Sequence, residues 1–272
     1  MKTEIIDFIN AQHGVDVSKF DESFLYKSLQ KRIAEINCYS TEEYYSILEK
    51  NTKEGSQFID SLHISYSEFF RNPLTFSVLE KIILPSIIHR KENNKRKEIR
   101  IWSAACAIGQ EAYSIAMLLE EIKGTDNEKF CYRIFATDQS EEQVNKAYKG
   151  EYTANLMNNI NLKRLKRWFT KEGKIYTVNS ELKENIDFSV FDLFNEHLSS
   201  PPVSIFGGFD MIFCANLLFY YKPEHRKVII QKISNSLTDK SFLVTGEAER
   251  DIFINNKFNE VYPQSAIFQI SK

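Results

Sequence analysis

Two patterns of apolar and polar positions divide the chain. In the first part, apolar residues recur three or four positions apart, as at Leu25, Leu29 and Ile33, which is the spacing of a helix with one buried face. Ser40 and Glu43 form the pattern of a capping box, which predicts the start of another helix. We therefore predict a small all-helical N-terminal domain over residues 1–64.

Strands and helices alternate in the rest of the chain. A connecting segment over residues 65–98 contains a predicted helix near 74–90. Short apolar runs then predict strands at 99–102, 132–137, 186–191, 209–214, 242–246 and 266–270, and amphipathic stretches predict helices at 110–122, 140–148, 159–168 and 224–236. This alternation is typical of an α/β fold with a doubly wound, mostly parallel sheet and helices on both faces. We assign it to residues 99–272.

Composition excludes several classes of protein. The chain has 272 residues, 43% of them hydrophobic and 26% charged, and a net charge of −2. This balance argues against a chain built mainly to bind nucleic acid. No apolar run approaches the about 20 residues of a membrane span, and no signal-peptide pattern opens the chain. The widely spaced cysteines fit neither a disulfide framework nor a zinc site. We expect a cytoplasmic monomer that does not insert into a membrane.

The candidate chemistry lies at the predicted strand ends. Ligands of a doubly wound sheet bind beyond the carboxyl ends of its strands. Small or polar residues follow four successive strands in this chain, namely Ala104, Gly109 and Glu111 after the first, Asp138 after the second, Asp192 and Leu193 after the third, and Ala215 and Asn216 after the fourth.

These residues favour a ribose and a cation over a phosphate. The turn after the first strand carries one glycine, Gly109, where a dinucleotide site has three, and we interpret it as a point of close ligand approach. Glu111 at the helix start would repel a phosphate and attract a cation. Asp138 suits two ribose hydroxyls, and Asp192 can accept a hydrogen bond from an adenine amino group. S-adenosylmethionine has a ribose, no phosphate and a positive charge.

Each of these residues also has a structural interpretation. Asp138 could be a helix cap, Glu111 could complement the helix dipole, and Gly109 could be only a turn. The coincidence of suitable groups at four strand ends supports a ligand site, and both interpretations stay open from the pattern alone. The five histidines show no ligand spacing, so we predict no metal site.

Five stretches of the sequence resemble the CheR family, the chemotaxis receptor glutamate O-methyltransferases. They are Ser-Glu-Phe-Phe-Arg-Asn-Pro (67–73), Ile-Trp-Ser-Ala-Ala-Cys-Ala-Ile-Gly-Gln-Glu-Ala-Tyr-Ser (101–114), Phe-Ala-Thr-Asp (135–138), Ala-Tyr-Lys-Gly-Glu-Tyr (147–152) and Phe-Asp-Met-Ile-Phe-Cys-Ala-Asn-Leu-Leu-Phe-Tyr-Tyr (209–221). The resemblance runs in order over nearly the whole chain. It implies an S-adenosylmethionine-dependent methyltransferase domain over 99–272, with S-adenosylhomocysteine as the product and no metal. It also implies methyl transfer to glutamates of the cytoplasmic domain of a methyl-accepting chemotaxis receptor.

The resemblance adds residues to the site. It implies that Ser65, Ser67 and Arg71 join the strand-end residues in binding the cofactor, and that Arg71 and Tyr220 lie at the reacting end. Arg71 would hold a carboxylate of the cofactor or of the incoming glutamate; the alternative interpretation is that Arg71 only forms a surface ion pair. Tyr220 would orient the substrate; the alternative interpretation is that its ring only packs against neighbouring residues.

The chain departs from the family at several of these positions. Ser65 and Ser67 stand where the family has Asn and Thr, and both keep a short hydrogen-bonding side chain. Ala215 replaces an arginine before Asn216, which removes a cation and leaves a second hypothesis, a non-catalytic S-adenosylmethionine-binding homologue that acts as a signalling or docking module. A nucleic-acid methyltransferase is disfavoured, because the Asn-Pro-Pro-Tyr type of motif is missing after the fourth strand.

The receptor contact can also be predicted. Tethering members of the family bind the receptor's C-terminal pentapeptide through a β-insert, and the matching stretch near 169–178 predicts only a short hairpin around Gly173. Strand addition needs an edge of adequate length. We therefore predict a tether-independent enzyme that meets its receptor through a basic patch of Lys27, Lys31 and Arg32 on the N-terminal helices. The alternative is a solvated helix face.

Overall fold

The structure, a computed structural model, describes residues 2–62, 66–92, 97–126, 130–205 and 208–270. It divides into two compact units. The helical unit consists of Met1–Ile64 and Leu217–Lys227, and the α/β unit consists of Ser65–Asn216 and Val228–Lys272. The predicted division differs from this one at residues 217–227, which pack with the helices.

The helical unit is built from four amphipathic helices, α1 Lys2–His13, α2 Glu22–Glu35, α3 Thr41–Lys50 and α4 Thr52–Leu62. Their apolar faces supply its buried core, which includes Ile5, Ile9, Leu25, Leu29, Ile33, Leu48, Phe58 and Leu62. The predicted capping box begins α3, where the Glu43 amide donates to Ser40 Oγ at 3.1 Å. The Glu43 carboxylate reaches back one residue further than the pattern requires, to the amide of Tyr39 at 2.8 Å.

The prediction that Arg32 belongs to an exposed basic patch is wrong. Its guanidinium makes two hydrogen bonds of 2.7 Å to the carboxylate of Glu54, and the hydroxyl of Tyr44 donates to the same carboxylate at 3.0 Å. Glu54 is buried, so Arg32 neutralises a charge inside the unit. Lys27 and Lys31 are exposed and remain available for a surface contact.

The α/β unit contains a seven-stranded sheet and a smaller three-stranded one. The strands in chain order are β1 Glu98–Ala104, β2 Cys131–Asp138, β3 Glu151–Thr153, β4 Phe169–Glu172, β5 Ile175–Val178, β6 Ile186–Val190, β7 Phe209–Cys214, β8 Leu237–Thr245, β9 Asn259–Glu260 and β10 Ile267–Ile270. The large sheet has the order β6-β2-β1-β7-β8-β10-β9. Its first five strands in this order are parallel, and β10 is antiparallel to both of its neighbours. The predicted doubly wound, mostly parallel sheet is thus confirmed.

The register of the parallel strands places their carboxyl ends at one edge. Ile101 of β1 pairs with Ile134 of β2 and with Met211 of β7, and Met211 pairs with Phe242 of β8. The strands are buried along most of their length, as parallel strands covered on both faces should be. The loops that follow β1, β2, β7 and β8 therefore meet at this edge.

Helices connect the strands. A helical stretch before β1 comprises α5 Pro73–Val78, a π-helical turn Leu79–Ile83 and α6 Leu84–Glu92. The later helices are α7 Gln110–Asp126, α8 Glu141–Lys149, α9 Leu162–Trp168, α10 Ser180–Lys183, α11 Pro223–Ser236 and α12 Arg250–Asn255. Four of them overlap the helices predicted from periodicity.

The smaller sheet has the order β3-β5-β4 and is antiparallel. β4 and β5 form the hairpin around Gly173, which takes a φ of +59°. β3, with three residues, is too short to leave an alternating pattern and was not predicted.

Candidate functional site

The loop after β1 is held against the end of β2. The amides of Ala105 and Cys106 both donate to the carbonyl of Thr137 at 2.8 Å. The amide of Ala107 donates to Asp138 Oδ2 at 3.0 Å. Asp138 is therefore held in place at the strand-end edge by backbone of the neighbouring loop.

Asp138 is not the helix cap that its alternative interpretation suggested. The N-cap residue of α8 is Ser140, whose Oγ accepts from the amide of Gln143 at 3.4 Å. Asp138 instead accepts from the Ser140 amide at 3.0 Å through Oδ1. Asp138 is buried, with 8% of the residue exposed.

The loop after β1 is strained. Ala105 has a φ of +73°, Ala107 of +47° and Gly109 of +87°. The left-handed region costs a residue with a Cβ about 1–2 kcal/mol, so the fold tolerates two unfavourable alanines here. Such strain tends to collect at functional sites.

Gly109 has a structural role besides the predicted one. A Cβ at this position would lie 2.9 Å from the Cβ of Ala147 in α8. The glycine is needed for its positive φ and for this close approach between loop and helix. Its contact with a cofactor stays a prediction.

Glu111 lies in the first turn of α7 and is partly exposed. Its Oε1 accepts from the hydroxyl of buried Ser103 at 2.6 Å. Burial raises the pKa of Glu111 to about 7, and the charge of Glu249 adds to this rise. The Ser103 hydrogen bond and the charge of Arg71 both lower the pKa and so oppose the rise. Near neutral pH the carboxyl is therefore close to half protonated, and a cation beside it would favour its ionised form.

Arg71 is positioned by its neighbours in the sequence. Phe69 and Phe70, which precede it, are both buried in the core of the unit. The partly exposed guanidinium lies 5.1 Å from the ring centroid of Tyr66, and its charge acts on Glu111. The two phenylalanines thus anchor the segment that carries Arg71 to the site.

Glu249, which no sequence pattern indicated, is a fully buried carboxylate beside the end of β7. Its Oε2 accepts from the backbone amide of Asn216 at 2.7 Å, from Thr245 Oγ1 at 3.0 Å and from the backbone amide of Gly246 at 3.2 Å. The one local feature that could have drawn attention to Glu249 is its position three residues after Gly246, at the end of a strand. Its partner Asn216 is 33 positions away in sequence.

The other predicted site residues are distributed as follows. Asp192 is exposed and its Oδ1 accepts from the Phe194 amide at 2.8 Å, in the turn that follows β6. Of the remaining predicted site residues in the α/β unit, Ala104 and Leu193 are buried, and Ser67, Ala215 and Asn216 are partly exposed. Ser65 lies outside the described residues.

Tyr220 belongs to the helical unit. Its ring lies 4.8 Å from that of Phe24 in an edge-on arrangement, and its carbonyl accepts from the Asp21 amide at 2.8 Å. The packing alternative for Tyr220 is thus realised within this unit. A part in catalysis stays a prediction.

The charges at the strand ends fit a cationic cofactor. Asp138 and Glu111 both act on the buried thiol of Cys106, and Glu249 and Glu111 both act on that of Cys214. The three carboxylates therefore share one region. A region with this excess of negative charge attracts a sulfonium or ammonium and repels a phosphate.

The same region offers no other obvious chemistry. Burial raises the pKa of both thiols well above the usual value, so they are neutral and weakly nucleophilic. Within the described ranges, no group of three His, Cys, Asp or Glu side chains is placed to hold a metal ion.

Among those same residues, no helix has both the length and the apolar character to cross a membrane.

Comparison with known proteins agrees with this site. The family described as "CheR methyltransferase, SAM binding domain" matches residues 65–267, and the one described as "CheR methyltransferase, all-alpha domain" matches residues 3–63. A chemotaxis protein methyltransferase of Listeria innocua is 30% identical over 87% of this chain and 85% of its own length. The chemotaxis protein methyltransferase of Escherichia coli is 28% identical over 93% and 85%, respectively.

Proposed function

The chain belongs to the CheR methyltransferase family and is an S-adenosylmethionine-dependent methyltransferase, and we propose that it methylates glutamate side chains of chemotaxis receptors. The observation that carries the proposal is the group of carboxylates at the strand ends, which suits a cationic methyl donor, in a chain that matches both family domains. Both relatives described above bear the name of chemotaxis protein methyltransferases.

Methyl transfer to a glutamate makes modest chemical demands on the protein. The free side chain has a pKa of about 4.3, so the nucleophile is ionised at neutral pH without a general base. S-adenosylmethionine supplies an activated methyl group on its sulfonium. The protein has to bind both partners, align them and exclude water. A site made of carboxylates and one arginine is sufficient for this.

The strand-end residues divide the binding of the cofactor among them. Asp138 would accept hydrogen bonds from the ribose hydroxyls, and its two backbone contacts keep it in position. Glu111 and Glu249 would stabilise positive charge on the cofactor. Asp192 would accept from the adenine amino group, and Ala104, Gly109, Leu193, Ser65, Ser67, Ala215 and Asn216 would complete the contacts.

Arg71 and Tyr220 are the residues that we assign to the reacting end. The guanidinium offers parallel N–H donors that match a carboxylate, either that of the cofactor or that of the incoming glutamate. The tyrosine hydroxyl would orient the substrate. Neither residue has to accept a proton, in keeping with a nucleophile that is already ionised.

We also propose that the receptor contacts the helical unit through Lys27 and Lys31. The side chain of Lys31 is 76% exposed, with Glu35 3.8 Å away. Charge reversal at Lys27 and Lys31 should slow methylation, whereas reversal at exposed Lys53 on α4 should not.

A receptor without its C-terminal tail should be methylated as fast as the full-length one. Strong dependence on the tail would refute this part of the proposal.

The proposed reaction can be tested with a cofactor whose methyl group is labelled. Membranes that carry chemotaxis receptors, membranes without them and nucleic acid would be offered as acceptors. We expect label only with the receptor membranes. Label on nucleic acid would contradict the proposal.

The position of Ala215 makes the non-catalytic alternative testable in the same assay. Cofactor binding without transfer to any acceptor, together with transfer by the Ala215→Arg variant, would support a docking module. Transfer by the natural chain at a rate near that of Ala215→Arg would exclude it.

A further inference from the structure

The motif Ala-Tyr-Lys-Gly-Glu-Tyr (147–152) supplies none of the predicted site residues, and it joins a helix to the smaller sheet. Gly150 ends α8 with a φ of +63°, and β3 begins at the next residue. The amide of Val178, at the end of β5, donates to the Gly150 carbonyl at 2.9 Å. Tyr152 is the middle residue of β3 and is buried. The motif therefore places a buried tyrosine at a defined position next to a helix end.

The hydroxyl of Tyr152 holds the loop after β1. It donates to the carbonyl of Ile108 at 2.6 Å. A second contact comes from the turn that follows β3, where the carbonyl of Leu156 accepts from Gln110 Nε2 at 3.1 Å. The loop needs such support, because Ala107 has a φ of +47° and a left-handed residue with a Cβ persists only where its surroundings hold it. The loop is thus fixed from β3 and from the turn after it.

The contact at Ile108 lies one residue from the contact that holds Asp138. The amide of Ala107 donates to Asp138 Oδ2 at 3.0 Å, and Ile108 is the next residue in the chain. A shift of the loop at Ile108 would therefore disturb the hydrogen bond that orients the carboxylate. Tyr152 reaches Asp138 in this way through the backbone of two loop residues.

The ring of Tyr152 packs on the segment that carries Arg71. Its centroid lies 4.9 Å from that of Phe69 in an edge-on arrangement, and Phe69 is fully buried two residues before Arg71. Between them, Phe70 has a φ of +48° and donates its amide to Oγ of buried Ser114 at 3.0 Å. Edge-on packing is a preferred geometry of aromatic pairs, so the ring of Tyr152 helps to fix this segment.

We propose that Tyr152 is a positioning residue of the methyltransferase site, whose hydroxyl sets the loop that orients Asp138 and whose ring sets the segment that carries Arg71. Loss of the hydroxyl alone weakens cofactor binding, and loss of the ring also slows methyl transfer. The smaller sheet is in this way part of the support of the site.

The inference rests on the proposed roles of Asp138 and Arg71. Unchanged S-adenosylmethionine binding by Asp138→Ala would overturn the ribose assignment and this inference together. Weakened binding by Asp138→Ala with unchanged binding by Tyr152→Phe would overturn this inference alone. Binding needs no methyl acceptor, so failure of the receptor assay leaves this comparison intact.

The first test compares Tyr152→Phe with Tyr132→Phe by calorimetry with S-adenosylmethionine, at a temperature at which both variants are fully folded. Tyr132 is a matched control, because it is also buried and its hydroxyl donates at 2.8 Å, to Glu120 Oε1. It lies at the start of β2, whereas Asp138 ends that strand. Tyr152→Phe should weaken binding about threefold to tenfold, the range expected for one lost hydrogen bond, and Tyr132→Phe should leave the affinity unchanged. Equal affinities of the two variants would overturn the proposal.

A double-mutant cycle separates positioning from a general loss of stability. If the hydroxyl acts through Asp138, Tyr152→Phe should change the affinity little in a chain that already carries Asp138→Ala. Losses that simply multiply in the double variant would show that the two residues act independently and would overturn the proposal.

The ring is tested by turnover at saturating cofactor with receptor as the acceptor. Tyr152→Leu should be at least about tenfold slower than Tyr152→Phe, because a small misplacement of a group at the reacting end is costly in rate. If Tyr152→Leu does not fold, Phe69→Leu removes the same ring contact from the other side and should show the same loss. Turnover equal to that of Tyr152→Phe would overturn the link to Arg71.

Discussion

Binding of the cofactor should release a proton from Glu111. In the free protein the pKa of this carboxyl is raised to about 7, chiefly by burial. A cationic ligand favours the ionised form and should return the pKa toward its unshifted value of 4.5. Protonated Glu111 must therefore lose its proton when S-adenosylmethionine binds.

The size of the effect follows from the two pKa values. At about pH 7, roughly half of the free protein carries the proton and almost none of the complex does, so binding should release about half a proton. Apparent affinity should fall about eightfold between about pH 7.5 and about pH 6, because the competent fraction of the free protein shrinks by that factor.

The raised pKa of Glu111 gives stability the opposite dependence on pH from affinity: stability should fall as the pH rises. A raised pKa means that the stabilising contribution of Glu111 is present below its unfolded pKa of 4.5 and is lost as the pH rises through about 7. Glu111→Gln removes the buried charge and should stabilise the free protein above about pH 8, by at most about 3 kcal/mol.

Calorimetry in buffers of different ionisation enthalpy measures the proton release. Glu111→Gln is the control, because it cannot titrate and its Oε1 can still accept from Ser103. It should bind more weakly, release no proton and lose the dependence on pH. Proton release by Glu111→Gln equal to that of the natural chain, or no release by either protein, would show that Glu111 is not the group that loses the proton.

Substitutions at three further positions, two of them paired with a second variant, test single residues. Asp138→Ala should weaken S-adenosylmethionine binding at least about tenfold, since each charge-assisted hydrogen bond contributes about 1.5–3 kcal/mol, and unchanged affinity in calorimetry would sink the ribose assignment. Gly109→Ala should destabilise the fold by about 2–4 kcal/mol through its positive φ and its contact with Ala147. Gly124→Ala, which has nothing within 4 Å, should stabilise by up to about 1 kcal/mol, and denaturant unfolding distinguishes the two. Arg71→Ala should abolish methyl transfer with little change in melting temperature, and Arg71→Lys should restore it only in part because it lacks the planar fork. Activity within a few-fold of the natural chain would count against Arg71.

The strand ends of the α/β unit could be predicted because the signals there are local. β1, β2 and β7 are continuous apolar runs that end at a small or polar residue, and in a parallel sheet such ends meet at one edge. β9 escaped prediction because two residues leave no pattern. The antiparallel direction of β10 depends on its pairing with β8 and cannot be read from its own sequence.

The parts of the site that escaped prediction depend on contacts distant in sequence. Nothing near Glu249 indicates that its carboxylate accepts from Asn216, and nothing near Arg32 indicates that Glu54 will neutralise it. The sequence singles out Gly109 as a point of ligand approach, whereas the neighbour that requires a glycine there in the structure is Ala147. Left-handed φ angles at Ala105 and Ala107 run against local preference, so no propensity argument would have found them.

The proposed function requires this chain to form methyl esters on receptor glutamates. The most direct test is to incubate the protein with methyl-labelled S-adenosylmethionine and a purified receptor cytoplasmic domain, treat the modified receptor with mild alkali, and collect methanol. We expect the label to be released as methanol, to map to glutamate side chains, and to be absent with Asp138→Ala. Label that resists alkali, or the absence of transfer by a protein that binds the cofactor, would rule out methyl-ester formation on the receptor.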